Sequence, residues 1–426
     1  MKKQILSALV AASMAASMLT VSVMADAEEP EVTITYWGWD SNYTWPMMEK
    51  YHELHPNVTF EPIATEWGDM LTKVQQALAS GSDLPTIIAM DRALIENWKQ
   101  FGILEDLNDY GVDTANYNQA LVDAATTEDG KLIGLFSAAC PAGIAYKRDL
   151  AEQYFGTSDP DELQELFQTY DDYVTHGKEV AEASDGSVYL FHSGQAVAEW
   201  LYFASDVPNV TDGKISMTAK MEDVMGKLIA LRDAGAVDTY QNGTAEGNAT
   251  YADDNHIFYP CPDWAITYYI ETNDPDGSGN WGIIKAPVNY QHGGTAFGIS
   301  TSATDEQKAA AYDYIHWCVS DEVGATEARD VAGFITMDSS IATPEFCKRS
   351  DEEFFGGENI SNLLYQEIAP NSDIATPSIY DNDITSVRND VAQQLMDDAS
   401  MDLDAAVAAA IEELQQLVTD ESVTIE

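Results

Sequence analysis

Positive charge is scarce in this chain: 20 Lys and Arg stand against 72 Asp and Glu, for a net charge of −52. Nucleic acid, polyphosphate and anionic lipid each require a cationic face that neutralises phosphates or releases counterions, so none of them fits as a ligand. The acids are scattered rather than gathered in a tail and read as a solubilising surface. Cysteine is sparse too. Cys140, Cys261, Cys318 and Cys347 form no CxxC pair and have no metal-ligand spacing, and none sits near the N-terminus, where lipid attachment would need it. Export would permit disulfides, which leaves Cys140 with Cys261 and Cys318 with Cys347 as open pairings. GxSxG, HExxH and P-loop motifs are absent, and the seven His show no ligand clustering. No catalytic residue, metal or cofactor is expected. Asp274-Pro275-Asp276-Gly277-Ser278-Gly279 has some character of a Ca²⁺ loop but lacks the further spaced acids, so it reads as a tight turn before Trp281.

Long uncharged runs are limited to one, from Ile5 to Met24, preceded by Lys2-Lys3 and followed by Ala25-Asp26-Ala27. A basic start, an apolar stretch rich in Ala and Ser and a small-x-small site describe a secretory signal peptide over residues 1–27, with an uncleaved anchor as the rival reading. The expectation is therefore an exported protein, periplasmic or extracellular, that is not a lipoprotein. What remains, about 400 residues, exceeds what one core usually supports, so two lobes are expected. The 45% hydrophobic and 10% aromatic residues suffice to fill two cores and argue against disorder.

Glu31 to Tyr36 alternates and is β-branched, which predicts the first strand. The aromatic-rich stretch Trp37 to Trp45 reads as a loop, Pro46 as the opening of a helix bearing Met47, Met48, Tyr51 and Leu54, and Val58 to Phe60 as a second strand. Strand alternating with helix is the α/β signature. From Leu150 to about Tyr269 the pattern is helical. Two C-terminal stripes, Ile384-Val387-Val391-Leu395 and Leu403-Val407-Ala410-Ile411-Leu414-Leu417, read as core-facing helices.

The most informative stretch is Val74 to Leu107. Met70, Leu71, Val74, Ala77 and Leu78 recur at helical spacing, Gly81 supplies a stop, and Thr86-Ile87-Ile88-Ala89 is a short apolar strand followed at once by Asp91-Arg92. In open α/β sheets ligands bind beyond the carboxyl ends of strands, where an acid and a guanidinium are placed to hold hydroxyl groups. In order and content this stretch resembles the extracellular solute-binding proteins of ABC importers, in their maltose-binding-like carbohydrate branch. Asp129-Gly130-Lys131-Leu132-Ile133-Gly134 with Ala145 to Leu150, Trp281-Gly282-Ile283 with Ala286-Pro287, and Gly293 to Ser300 before an Ala-rich helix continue the likeness along the chain.

The resemblance implies a periplasmic-binding-protein-like type II fold: two α/β lobes joined by a multi-crossing hinge, with the ligand cleft between them. The crossings would fall near Ser137 to Cys140, Ala286 to Gly294 and Gly333, giving lobe one residues 28–138 and 287–333 and lobe two residues 139–286 and 334–426. Sugars present apolar faces rimmed by hydroxyls, so aromatic platforms and planar hydrogen-bonding groups are the candidate site. Trp37 and Trp39 follow a strand and either stack on a sugar or cap the core. Asp40, Asp91 and Arg92 match acidic and basic contacts of that branch. Asp263-Trp264 resembles its Trp-bearing loop, though without its Gly and with prolines around it. Ser137 and Cys140 occupy the hinge position where relatives often carry an acid, and Tyr380 is a weaker candidate, as are Trp200 and Tyr290. Trp67, Trp98, Trp281 and Trp317 read as core. The expected function is capture of a sugar, an oligosaccharide, by a monomer that closes its hinge and delivers the ligand to a membrane permease. The alternatives are a polyamine or peptide on the same scaffold, or a secreted glycoside hydrolase, which would need two carboxylates flanking the sugar.

Overall fold

The structure, a computed structural model, describes residues 30–39, 41–348, 352–373, 377–420 and 423–426. The expected signal segment and Asp40 lie outside them. In chain order the strands are β1 Val32–Gly38, β2 Val58–Ala64, β3 Ile87–Asp91, β4 Leu135–Phe136, β5 Pro141–Lys147, β6 Tyr189–Phe191, β7 Val210–Thr211, β8 Lys214–Ile215, β9 His256–Pro262, β10 Trp281–Ile284, β11 Tyr290–Gln291, β12 Thr295–Ile299 and β13 Thr424–Ile425. They form a first sheet ordered β2-β1-β3-β12-β4, a second ordered β10-β5-β9-β6 with β11 on β5, and a small third ordered β13-β8-β7.

In the first sheet β1, β2 and β3 run parallel, and β12 returns antiparallel between β3 and β4. Strand β1 extends two residues beyond the expected end, so Trp37 is a strand residue rather than a loop residue, and the following helix Ser41–Leu54 holds Pro46 in its interior. An interior proline removes one helical hydrogen bond. Burial of Tyr43, Met47, Met48 and Tyr51 on the core face offsets that loss. The helix Met70–Ser80 stops where expected, with Gly81 at φ 66 turning its N–H back to Ala77 and Leu78.

The second sheet is covered on both faces, so β5 is buried at every position. Ala142, Ile144 and Tyr146 pack into one core with Phe258, while the intervening Ala145 packs with Tyr259, Cys261 and Trp281 in another, the period-two alternation of a strand. Strands β6 and β9 fall inside the segment read as helical. β6 is three residues long and β9 is an unbroken apolar run after His256, and such runs carry no periodicity that separates strand from helix. Pro260 and Pro262 are tolerated in β9 because its pairing with β6 ends at Phe191↔Phe258, leaving no ladder partner on that side.

The chain passes between the sheets at residues 137–140, 292–294 and beyond Gly333. Tyr290↔Ala142 and Gln291↔Pro141 hold β11 on the second sheet, and residues 292–294 lead from it to β12 of the first. All four cysteines are buried free thiols, so neither open pairing forms. The Asp274–Gly279 stretch is a turn in which Asp274 accepts from Trp281 Nε1 at 2.8 Å. No described helix is long and apolar enough to cross a membrane.

One ionic knot anchors the start of β9. His256 Nδ1 meets Asp253 Oδ2 at 2.9 Å, its Nε2 meets Asp238 Oδ2 at 3.1 Å, and the buried Lys147 Nζ lies 3.6 Å from Asp253 Oδ1. His192, Tyr189 and Tyr240 pack around the imidazole. Burial disfavours its charged form, but the two carboxylates outweigh burial and raise its pKa above the ordinary 6.5. The contribution of the charged ring is thus complete below the unfolded value and is lost as pH rises through the folded one. In urea unfolding between about pH 6 and pH 9, the stability difference between wild type and His256→Gln is expected to shrink as pH rises. A difference that stays flat across that window would contradict the knot.

Candidate functional site

Parallel strands place everything that follows them on one edge, and three chain segments use that edge here. Trp39 emerges after β1, Glu66 and Trp67 after β2, and Asp91 with Arg92 at the end of β3; all five line one cleft of about 680 Å³. The opposite wall comes from the second lobe. The helix Gly194–Phe203, capped by Ser193, supplies Glu199, Tyr202 and Phe203, and the helix Asp381–Asp397 supplies Asp381, Asn382, Thr385 and Asn389 from one face. The passages between the sheets make the floor through Ser137, Cys140, Gln291, His292, Gly293 and Gly294.

Asp91 caps the turn that follows it, its Oδ1 accepting from Ala93 N–H at 2.7 Å. The Trp67 indole also donates to this carboxylate, and Arg92 lies beside it, yet burial outweighs these and raises its pKa above the usual carboxylate range. Arg92 is buried and donates across the hinge to Gln291 Oε1 at 3.4 Å and to Gln291 O at 3.1 Å. Trp264 is half-buried, and its Nε1 donates to His292 O at 2.9 Å. His292 stacks on Phe203 with centroids 4.3 Å apart, and burial pushes its pKa down to about 4 against the pull of Glu199. Glu199 accepts from Arg388 Nη2 at 3.1 Å, a guanidinium buried behind the cleft wall.

Of the residues singled out in the sequence, Trp39, Asp91, Arg92, Ser137, Cys140 and Trp264 meet in this cleft. Trp37 does not: it faces the helix Met70–Ser80, with Lys73 Nζ 4.2 Å above its ring. Asp263 lies beneath the cleft floor, where its carboxylate accepts from Trp264 N–H and from the Tyr365 hydroxyl. Tyr380 points to Asp420 at 3.3 Å. Trp200 and Tyr290 are buried in the core, as are Trp98, Trp281 and Trp317. Trp67, read as core, instead lines the cleft. The same strand-end rule that singled out Asp91 covers it, since it follows β2 directly. Phe203, Glu199 and His292 carried no sequence signal, because helix residues and a hinge turn look alike from periodicity.

Cys140 stands in the left-handed region at φ 51, and Gly293 and Gly294 beside it have φ of 99 and 121. Burial pushes the Cys140 thiol pKa well up. A methyl group at Gly293 would lie 2.8 Å from Trp264 Nε1, so this glycine seats the indole against the hinge.

Sequence and structure comparisons follow this geometry. The family profile described as bacterial extracellular solute-binding protein matches residues 46–355, more than half of the chain. The chain belongs to this family. A lactose-binding protein of Rhizobium radiobacter is 25% identical over 404 residues, covering 86% of this chain and 89% of its own. Among solved structures, an ABC transporter associated binding protein from B. animalis subsp. lactis in complex with β-1,6-galactobiose superposes with a TM-score of 0.74 at 16% identity, over 92% of this chain and 99% of its own. The galacto-N-biose/lacto-N-biose I-binding protein from Bifidobacterium longum gives a TM-score of 0.73 at 18% identity, over 93% and 99%. The fold of this solute-binding protein is thus the type II periplasmic-binding-protein-like one.

The hinge of this solute-binding protein yields a direct test. Gly81 also has positive φ, but a methyl group there meets nothing. Gly293→Ala is therefore expected to cost about 1–3 kcal/mol in urea unfolding, more than Gly81→Ala, and to shift Trp264 fluorescence. Equal costs at the two positions would show that the indole is not seated by Gly293.

Proposed function

We propose that this solute-binding protein captures a neutral oligosaccharide outside the cytoplasmic membrane and passes it to the permease of an ABC importer. The observation that carries the reading is the lining of the cleft. Aromatic faces from both lobes, Trp39 and Trp67 on one and Phe203 and Trp264 on the other, share it with planar groups such as Asp91, Asn242, Gln291, Asn382 and Asn389. Apolar sugar faces stack on the former, and rims of hydroxyls pair with the latter. The volume lies within the range of about 300–1,000 Å³ typical of small-molecule sites. The lactose-binding relative and the disaccharides held by the two structural neighbours support the same class.

Asp91 is the ligand contact of this reading. One carboxylate oxygen serves Ala93 N–H, and lone pairs remain for sugar hydroxyls. The mechanism is a population shift: a sugar touching both lobes stabilises the closed form by its differential affinity, and the permease recognises that form. The protein acts as a monomer and leaves the sugar chemically unchanged. A second reading, a cationic solute such as a polyamine, draws support from Glu66 and Asp373, exposed carboxylates on the cleft lining.

Thermal unfolding with lactose, maltose, β-1,6-galactobiose, lacto-N-biose and spermidine separates the two. A sugar at 100 times its Kd is expected to add about 2.7 kcal/mol of stability, and Asp91→Asn to weaken its binding by about 1.5–3 kcal/mol with the fold intact. Stabilisation by spermidine and by none of the sugars would replace the sugar reading with the cationic one.

A further inference from the structure

Behind the second-lobe wall of the cleft, the helix Asp381–Asp397 carries a guanidinium that solvent does not reach: Arg388 is 0% exposed. Its Nη2 donates to Glu199 Oε1 at 3.1 Å and to Asn389 Oδ1 at 2.9 Å, and its Nε donates to the same Asn389 oxygen at 3.2 Å. The Tyr202 and Phe203 rings border the charge, with centroids 4.9 and 5.9 Å from the guanidinium carbon. One nitrogen therefore holds Glu199 of one helix beside Asn389 of another. Both of these residues line the cleft, and both are partly exposed.

Chemistry fixes what each of them presents. A guanidinium has five donors and no acceptor, so the Asn389 amide must turn its oxygen to Arg388 and keep its NH2 on the side away from it. The Glu199 carboxylate supplies the negative charge that a buried guanidinium needs, giving one oxygen to it and keeping the other. His292 Nε2 approaches the oxygen already in use, at 3.6 Å from Oε1. Glu199 Oε2 and Asn389 Nδ2 have no hydrogen-bond partner among the described residues, and neither is sealed from solvent. An acceptor and a donor thus stand next to each other on the wall. A hydroxyl fits this pair, because it donates to the carboxylate and accepts from the amide. An ammonium group cannot accept from the amide, and a carboxylate cannot donate to Glu199.

We propose that Glu199 and Asn389 form a hydroxyl subsite of the cleft, with Arg388 as the positioning residue that makes the first an acceptor and the second a donor. This deepens the sugar reading and rests on it for the solute. A sugar that places a hydroxyl here is preferred over its deoxy or epimeric form, which leaves the pair without its partner.

Two isosteric substitutions invert one pole each while keeping Arg388 paired. In Glu199→Gln the new amide must also give its oxygen to Arg388, which puts an NH2 where the acceptor stood. In Asn389→Asp the new carboxylate accepts from Arg388 and puts an oxygen where the donor stood. The double variant exchanges the poles and restores one acceptor beside one donor. In calorimetric titrations with lactose, maltose, β-1,6-galactobiose, lacto-N-biose and spermidine, each single variant is expected to bind the sugars of wild type about tenfold more weakly, and the double variant to recover to within about threefold. A double variant that loses the product of the two single losses, or single variants that bind as wild type does, would overturn the subsite and spare the sugar reading. A wild type that binds spermidine and none of the sugars would overturn both. Stability tests Arg388 apart from any solute. Asn389→Asp is expected to unfold at a higher urea concentration than Asn389→Leu, because only the latter leaves the guanidinium short of an acceptor. Equal midpoints for these two variants would remove the positioning role.

Discussion

The Arg92 guanidinium is buried where the chain passes between the lobes, donating to the side chain and the main chain of Gln291. A charge in that position is tolerable only with partners, because an uncompensated buried ion costs several kcal/mol. Asp91 and Asp263 supply the opposing charge, and Gln291 supplies the acceptors. The neighbouring parts of the hinge follow from this requirement. Asp263 must stay beneath the floor, where it also caps Trp264. Gln291 must stay on the second sheet, which moves the passage between lobes to residues 292–294. The Arg92 main-chain N–H donates to Gly294 O at 2.9 Å, fixing the start of the turn after β3 against the hinge glycines. One guanidinium thereby ties the carboxyl end of β3, the platform indole and the hinge glycines into one unit.

Most of the fold was legible because the parallel strands and their helices follow rules that need only local sequence. The Gly81 stop, the Thr86–Ala89 strand and the buried stripe Ile384-Val387-Val391-Leu395 are cases where hydrophobic spacing and a turn residue are sufficient. In the Leu403 stripe Ala410 and Leu414 are buried and Leu403, Val407 and Ile411 half-buried, whereas Leu417 at its end is 45% exposed, since the helix outruns the surface it packs on. Strands β6 and β9 show no period because β6 is three residues long and β9, after His256, is an unbroken apolar run. Trp37 reads as a loop residue from sequence because the end of β1 is set by its pairing with Ile63 and Ile88, which sequence does not display.

The candidate site divides along the same line. Residues at the ends of strands, Trp39, Asp91 and Arg92, could be placed by a topological rule. Asp263 and Tyr380 sit next to cleft residues in sequence but turn away, because the Asp263 carboxylate is taken by the Trp264 N–H and the Tyr365 hydroxyl and the Tyr380 phenol reaches Asp420. Phe203 and His292 come together from segments far apart in sequence and stack only in the folded chain. The excess of acid is consistent with this site: the lining pairs few free cations with its carboxylates, since Arg92 is bound to Gln291 and the Lys220 ammonium donates to Val207 O at 2.8 Å.

A solute that touches Trp39 and Asp91 on one lobe and Phe203 and Trp264 on the other bridges two lobes joined by a hinge. Its binding energy is then available to bring them together. Small-angle X-ray scattering of the protein with and without saturating sugar tests this most directly. The account predicts a fall in the radius of gyration on saturation, reached by the Asp91→Asn variant only at a correspondingly higher sugar concentration. An unchanged radius in a protein that calorimetry shows to be saturated would contradict a cleft that closes on its ligand.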